Sequence, residues 1–188
     1  MTVNVENNGG PLVSIWRIAA WSVVPLVLLV PLIAMQFTDE VNWSVGDFVF
    51  AGALLIAVGA AFELAARKSR NFAYRAAVGV ALAAGFLLIW FNGAVGIIGS
   101  EDNDANLMYF GVLAAGVVGA LIARFRPNGM ARALFVTAFA QALVALIAVI
   151  GGLGYPESGP FEILGLNGFF VAMFVVSGLL FRSAPDGR

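Results

Sequence analysis

An all-α, polytopic bundle of six transmembrane helices is the fold this sequence predicts, and three features predict it. The 188 residues are 61% hydrophobic and only 11% charged, with a mean hydropathy of +0.95, whereas roughly a quarter of a soluble domain is charged. Six apolar runs, at about 18–37, 48–66, 76–98, 107–123, 133–153 and 161–181, are each 17–23 residues long, the length a helix needs to cross a bilayer. The polar stretches between them sort by sign. Alternating segments of about ten residues, the mark of a membrane β-barrel, are absent. So little chain lies outside the runs that residues 1–188 are expected to form a single integral membrane domain.

The first run follows a polar lead containing Asn7, Asn8, Gly9, Gly10 and Pro11. Its length and the lack of basic residues before Arg17 read as an uncleaved span rather than a signal peptide. Pro25 and Pro31 each remove a backbone donor from that span and favour a bend. The second run ends on Glu63 and Arg67, an i,i+4 pair read as a boundary ion pair with both heads reaching toward water. In the second to fourth runs, small residues recur at every fourth position: Ala53, Ala57, Ala61 and Ala65; Ala73, Ala77, Ala81 and Gly85; Gly111, Ala115, Gly119 and Ala123. Lipid provides no hydrophobic drive between helices, so small-residue ridges that permit close backbone approach are expected to form the centre of the bundle. The sixth run carries Phe169, Phe170, Phe174 and Phe181, a bulk that suits a lipid-facing or oligomer-facing position.

Charge sets the expected orientation. With the amino terminus inside, Arg17, the Arg67, Lys68, Arg70 and Arg75 cluster, the Arg124, Arg126 and Arg132 cluster, and Arg182 and Arg188 all lie on the inner face. These are all ten basic residues, joined there only by Glu6, Glu63 and Asp186, so the inner face carries +7 and the outer −8. The bias of Lys and Arg toward the cytoplasm then places both termini inside. Trp16, Trp21 and Tyr74 fall near the inner edge, and Trp43, Trp90, Tyr109 and Tyr155 near the outer, where headgroup layers favour them. Segments 50–54 and 109–113 open comparable hairpins from the same side, which reads either as a parallel repeat or as chance likeness between apolar stretches.

The chain has no histidine and no cysteine, which removes the usual ligands of haem, iron–sulfur clusters, copper and zinc, along with thiol and Ser-His-Asp chemistry. No catalytic residue and no cofactor are expected, and the net charge of −1 gives no nucleic-acid surface. The candidate polar positions within the bundle are Gln141, with Thr137 one turn earlier on the same face, and Asn92 and Asn167 toward the outer ends of their spans. Such groups serve as interhelical hydrogen bonds or as contacts for a small polar solute, and the first use is preferred. On the outer side, Glu101, Asp102 and Asp104 could hold a loose divalent cation. Asp102, Asp104 and Asn106 match the start of an EF-hand loop, but Leu107 and Leu113 stand where its glycine and glutamate belong. The preferred reading is an acidic turn in which Asp104 or Asn106 caps the fourth helix.

The segment NGAVGIIGSEDNDANLMYFGVL at 92–113, followed by ALIARFRPNGMARAL, resembles small uncharacterised multi-pass inner-membrane proteins of proteobacteria. The resemblance implies a bacterial inner (plasma) membrane location and no established activity. The function expected is that of a non-catalytic accessory, assembly or structural membrane protein acting through helix–helix contacts. Its expected partners are membrane lipids and either further copies of itself or another membrane protein. The alternative is a channel or facilitator for a small neutral solute.

Overall fold

A computed structural model describes residues 11–39 and 41–185. The lead at Glu6 and Asn7 to Gly10, Glu40, Asp186 and Arg188 lie outside the described residues, as do the side chains of Trp16 and Arg17. Six α-helices follow one another: α1 (Pro11–Ala34), α2 (Val45–Lys68), α3 (Phe72–Ala94), α4 (Met108–Ile122), α5 (Pro127–Ile150) and α6 (Pro160–Ser183), with a short 3-10 turn, Asp104–Leu107, leading into α4. No strand occurs among the described residues. Five stretches are long and apolar enough to cross a membrane, the four of α2, α3, α5 and α6 and the combined Asp104–Ile122. In α1 the apolar stretch so identified is the shorter Trp21–Ala34. Pro11, expected in the lead, instead opens α1, where its missing N–H costs no bond.

The chain divides into two compact units, Met1–Ala60 and Ala61–Arg188. In the first, α1 is helical through Pro25 and Pro31. Its contact with α2 passes through glycines, since a Cβ added at Gly52 would lie 3.5 Å from Leu28 Cδ1, and one at Gly59 3.5 Å from Trp21 Cη2. Gly52 and Gly59 are seven residues apart, two helical turns on one face. Ala53 and Ala57 of the expected alanine ridge are exposed instead.

In the second unit α6 lies between α3 and α5, and α4 packs mainly on α5 while also touching α3 and, through Tyr109, α6. This corrects the expectation that the small-residue helices would be central and the phenylalanine-rich α6 peripheral. Phe170, Phe174 and Phe181 are buried, and only Phe169 of the four is exposed. Ile163, Asn167, Phe170, Phe174, Ser177 and Phe181 form its buried seam; steps of three and four residues keep one face toward its neighbours, as in left-handed helix packing. The buried residues of α3 are Tyr74, Ala77, Val78, Ala84 and Leu88, a set that departs from an every-fourth row.

Small residues matter most where α4 meets α5. A Cβ on Gly119 would fall 2.7 Å from that of Ala133, and one on Gly116 would fall 3.3 Å from Thr137 Oγ1. Gly111 of the same expected row faces open space, with nothing within 4 Å of an added Cβ. The glycines of the two repeat-like segments thus differ in surroundings, Gly52 being packed and Gly111 open.

Candidate functional site

The polar interior of the second unit centres on Asn167. Its Oδ1 accepts hydrogen bonds from Tyr109 Oη at 3.0 Å and Gln141 Nε2 at 2.9 Å, while its Nδ2 donates to Ile163 O at 2.8 Å. Three helices are joined at one oxygen, and all three residues are buried. Thr137, also buried, donates to Ala133 O at 2.9 Å within α5 and does not join the cluster through a hydrogen bond. Asn92 stands apart as well, donating through Nδ2 to Asn106 O at 3.3 Å. Among the described residues two buried acceptors, Gln141 Oε1 and Asn92 Oδ1, have no hydrogen-bond partner. An unpaired buried polar atom costs about 1–3 kcal/mol, so each marks where a donor would be favoured.

Tyr109, in the first turn of α4, is 1% exposed and committed to Asn167. Tyr74 is likewise buried, edge-on to Phe181, with its hydroxyl on Phe125 O at 3.0 Å. Ser177, which the sequence reading passed over, donates to Ala77 O at 2.7 Å and ties α6 to α3. Its signal lay in the α6 seam, where it falls at the heptad step between Phe174 and Phe181.

At the acidic end, Asn106 organises the connection from α3. Its Oδ1 accepts from Ile97 N at 3.2 Å and Ile98 N at 3.0 Å, and its Nδ2 donates to Ile98 O at 3.2 Å and Ser100 O at 2.7 Å. Helix α3 therefore stops at Ala94, short of the expected 98, and the chain turns through Gly96 and Gly99, both with positive φ. A Cβ at Gly96 would come within 2.3 Å of the Ser100 backbone, so glycine is required there. The cap before α4 also differs from expectation: Asn103 Oδ1 accepts from Ala105 N at 2.9 Å, while Asn106 serves the loop instead. Asn103 Nδ2 reaches Leu153 O at 2.8 Å and Ser158 Oγ reaches Gly99 O at 3.4 Å, which binds this loop to the α5–α6 connection. Glu101, Asp102 and Asp104 are exposed, and among the described residues no three acidic side chains are grouped to hold a metal ion.

At the opposite end, the α2–α3 and α4–α5 turns meet. Lys68 Nζ donates to Arg124 O at 2.8 Å and lies 5.1 Å from the centre of the Phe125 ring. Tyr74 holds the next carbonyl. Arg124 and Phe125 have φ of 50° and 58°, left-handed values that cost a non-glycine residue roughly 1–2 kcal/mol each. Arg75 donates to Ser69 O at 2.9 Å and Ala66 O at 2.7 Å, closing the α2–α3 turn. Glu63 and Arg67 do pair, at 2.6 Å. Contacts thus place the basic turns at one end of this unit and the acidic loops at the other.

These features define a helical bundle of membrane-spanning character with an internally bonded polar centre and no grouped metal ligands among its described residues. Comparison with protein families, curated proteins and solved structures finds no match to the chain.

Proposed function

We propose that the chain is a non-catalytic accessory or assembly protein of a bacterial inner membrane, acting through helix–helix contacts. In this reading six helices cross the bilayer, both termini lie on the basic, cytoplasmic side, and the working surface is the outer face of the bundle. The observation that carries it is the use of the interior polar groups. Tyr109, Gln141 and Asn167 bond to one another, and Ser177 to the α3 backbone, so that these groups hold helices together. Unpaired small residues point outward: a Cβ at Gly165 or Gly168 of α6 would meet nothing within 4 Å, which leaves room for close approach by another helix.

The test is gentle detergent extraction with a photo-crosslinker placed at Gly168. The reading expects a second chain, of its own kind or another, in fixed stoichiometry and crosslinked at that position. A lone chain with lipid-only crosslinks overturns it.

The channel reading keeps one specific observation in its favour, the unpartnered acceptors of Gln141 and Asn92. It requires that vesicles containing the purified chain admit a small neutral solute, and that Gln141→Leu abolish the flux.

A further inference from the structure

We propose that the paired basic turns of the second unit form a docking surface for the phosphate of an anionic phospholipid. The arginines of the 67–75 and 124–126 stretches divide into two groups. Arg67 is engaged by Glu63, and Arg75 by the Ser69 and Ala66 carbonyls. Arg70, Arg124 and Arg126 are exposed, and among the described residues no hydrogen bond or ion pair occupies their guanidinium groups. Glu63, the one acid among the described residues of this end, is already taken. Orientation in a membrane requires only that basic residues be on one side. It does not require the α2–α3 turn to be fastened to the α4–α5 turn through Lys68 and Tyr74, nor two successive left-handed residues where glycine would be free of strain. Backbone held in this way, at a cost met by the surrounding structure, is characteristic of binding sites. Its effect is to hold against each other two turns that carry three exposed, unengaged arginines.

The occupant follows from charge and from the flanks. Guanidinium groups fit phosphate oxygens in a planar, bidentate manner. Phe72 is 83% exposed and Phe125 43% exposed beside these arginines, which would be a liability around a free anion but offers apolar contact to the glycerol and acyl region of a lipid. A lipid therefore uses both the arginines and the rings, whereas free phosphate uses the arginines alone. The inference depends on the membrane location and is independent of the accessory role.

The experiment uses the full chain in nanodiscs of phosphatidylcholine, with and without phosphatidylglycerol, after confirming that the chain partitions with the detergent phase. Thermal midpoint and lipid retention by native mass spectrometry are read for wild type, for the Arg70→Gln, Arg124→Gln, Arg126→Gln triple variant, and for the same three positions changed to Lys. Phosphatidylglycerol is expected to raise the wild-type midpoint and to be retained. The glutamine triple loses retention by about a hundredfold, in line with the contribution of each basic residue near an anionic surface. The lysine triple, which keeps the charge but not the paired donors, retains an intermediate amount and serves as the folding control, with all three proteins matching in pure phosphatidylcholine. Phe72→Ala lowers lipid retention further. Equal retention by the glutamine triple overturns the proposal, and so does a midpoint shift of the same size from inorganic phosphate, which would make this a free-anion site.

Discussion

Gln141 Nε2 donates to Asn167 Oδ1 at 2.9 Å across the α5–α6 interface, and the same bond leaves Gln141 Oε1 buried without a partner. The two residues are therefore unequal. Removing Gln141 as Gln141→Met loses one hydrogen bond together with an unpaired acceptor, and interhelical bonds in membranes average only about 0.6 kcal/mol. Removing Asn167 as Asn167→Leu strands both the Tyr109 hydroxyl and the Gln141 amide. Unfolding by a denaturing detergent in mixed micelles should show Gln141→Met within about 1 kcal/mol of wild type and Asn167→Leu lower by about 2–4 kcal/mol. Equal losses would mean that the shared Asn167 oxygen is not the hub.

The α4 glycines offer a test of where close packing occurs. Gly119→Ala would place a Cβ 2.7 Å from that of Ala133, whereas Gly111→Ala would enter open space. Overpacking costs about 1–3 kcal/mol, and an unobstructed Gly→Ala change in a helix gains up to about 1 kcal/mol. The expected signs are opposite, destabilising at Gly119 and neutral to stabilising at Gly111, by the same unfolding titration. A penalty at Gly111 as large as that at Gly119 would indicate that the every-fourth row is the contact face after all.

Asn106 should matter more than any acid in its loop. Its side chain makes four bonds to the backbone of Ile97, Ile98 and Ser100, so Asn106→Ala leaves two buried amides unsatisfied, at a cost of about 1–3 kcal/mol each before relaxation. Hydrogen exchange at Ile97 and Ile98 should accelerate sharply in that variant. Asp102→Ala and Asp104→Ala remove exposed side chains and should stay within about 0.5 kcal/mol of wild type. Protection of Ile97 and Ile98 that survives Asn106→Ala would refute the clamp.

Much of this architecture is legible in hydropathy, and the rest is hidden for a physical reason. Apolar run length located every helix, because a crossing helix must be long and apolar whichever way it faces. Helix ends shifted where local chemistry intervened, as at Ala94, where the glycine turn begins, and at Pro127, where proline opens α5 ahead of Arg132. Which face packs was not legible, since a helix that is apolar all round has no polar side to mark lipid from neighbour. Shape and hydrogen bonding decide instead, which is why Phe170 and Phe174 are buried while Ala53 is exposed. Gln141 and Asn167 stood out as polar residues in apolar runs. Tyr109 did not, because tyrosine near a helix end reads equally well as an interfacial anchor.

The separation of charge along the second unit is open to direct measurement. Asn103 and Leu153 join at the acidic end, and Lys68 and Arg124 at the basic end. Helices α4 and α5 run between those ends, one after the other. Asp102 and Arg126 are exposed and lie on opposite sides of α4. The chain has no native cysteine, so Asp102→Cys and Arg126→Cys each provide one unambiguous thiol. In sealed inside-out and right-side-out vesicles, a membrane-impermeant maleimide should label the two variants with opposite preference, and Arg126→Cys should react from the cytoplasmic face. Labelling of both from one side would overturn the crossing of α4 itself. Opposite labelling with Asp102→Cys on the cytoplasmic side would keep the bundle and invert its orientation, separating the fold from the charge rule that orients it.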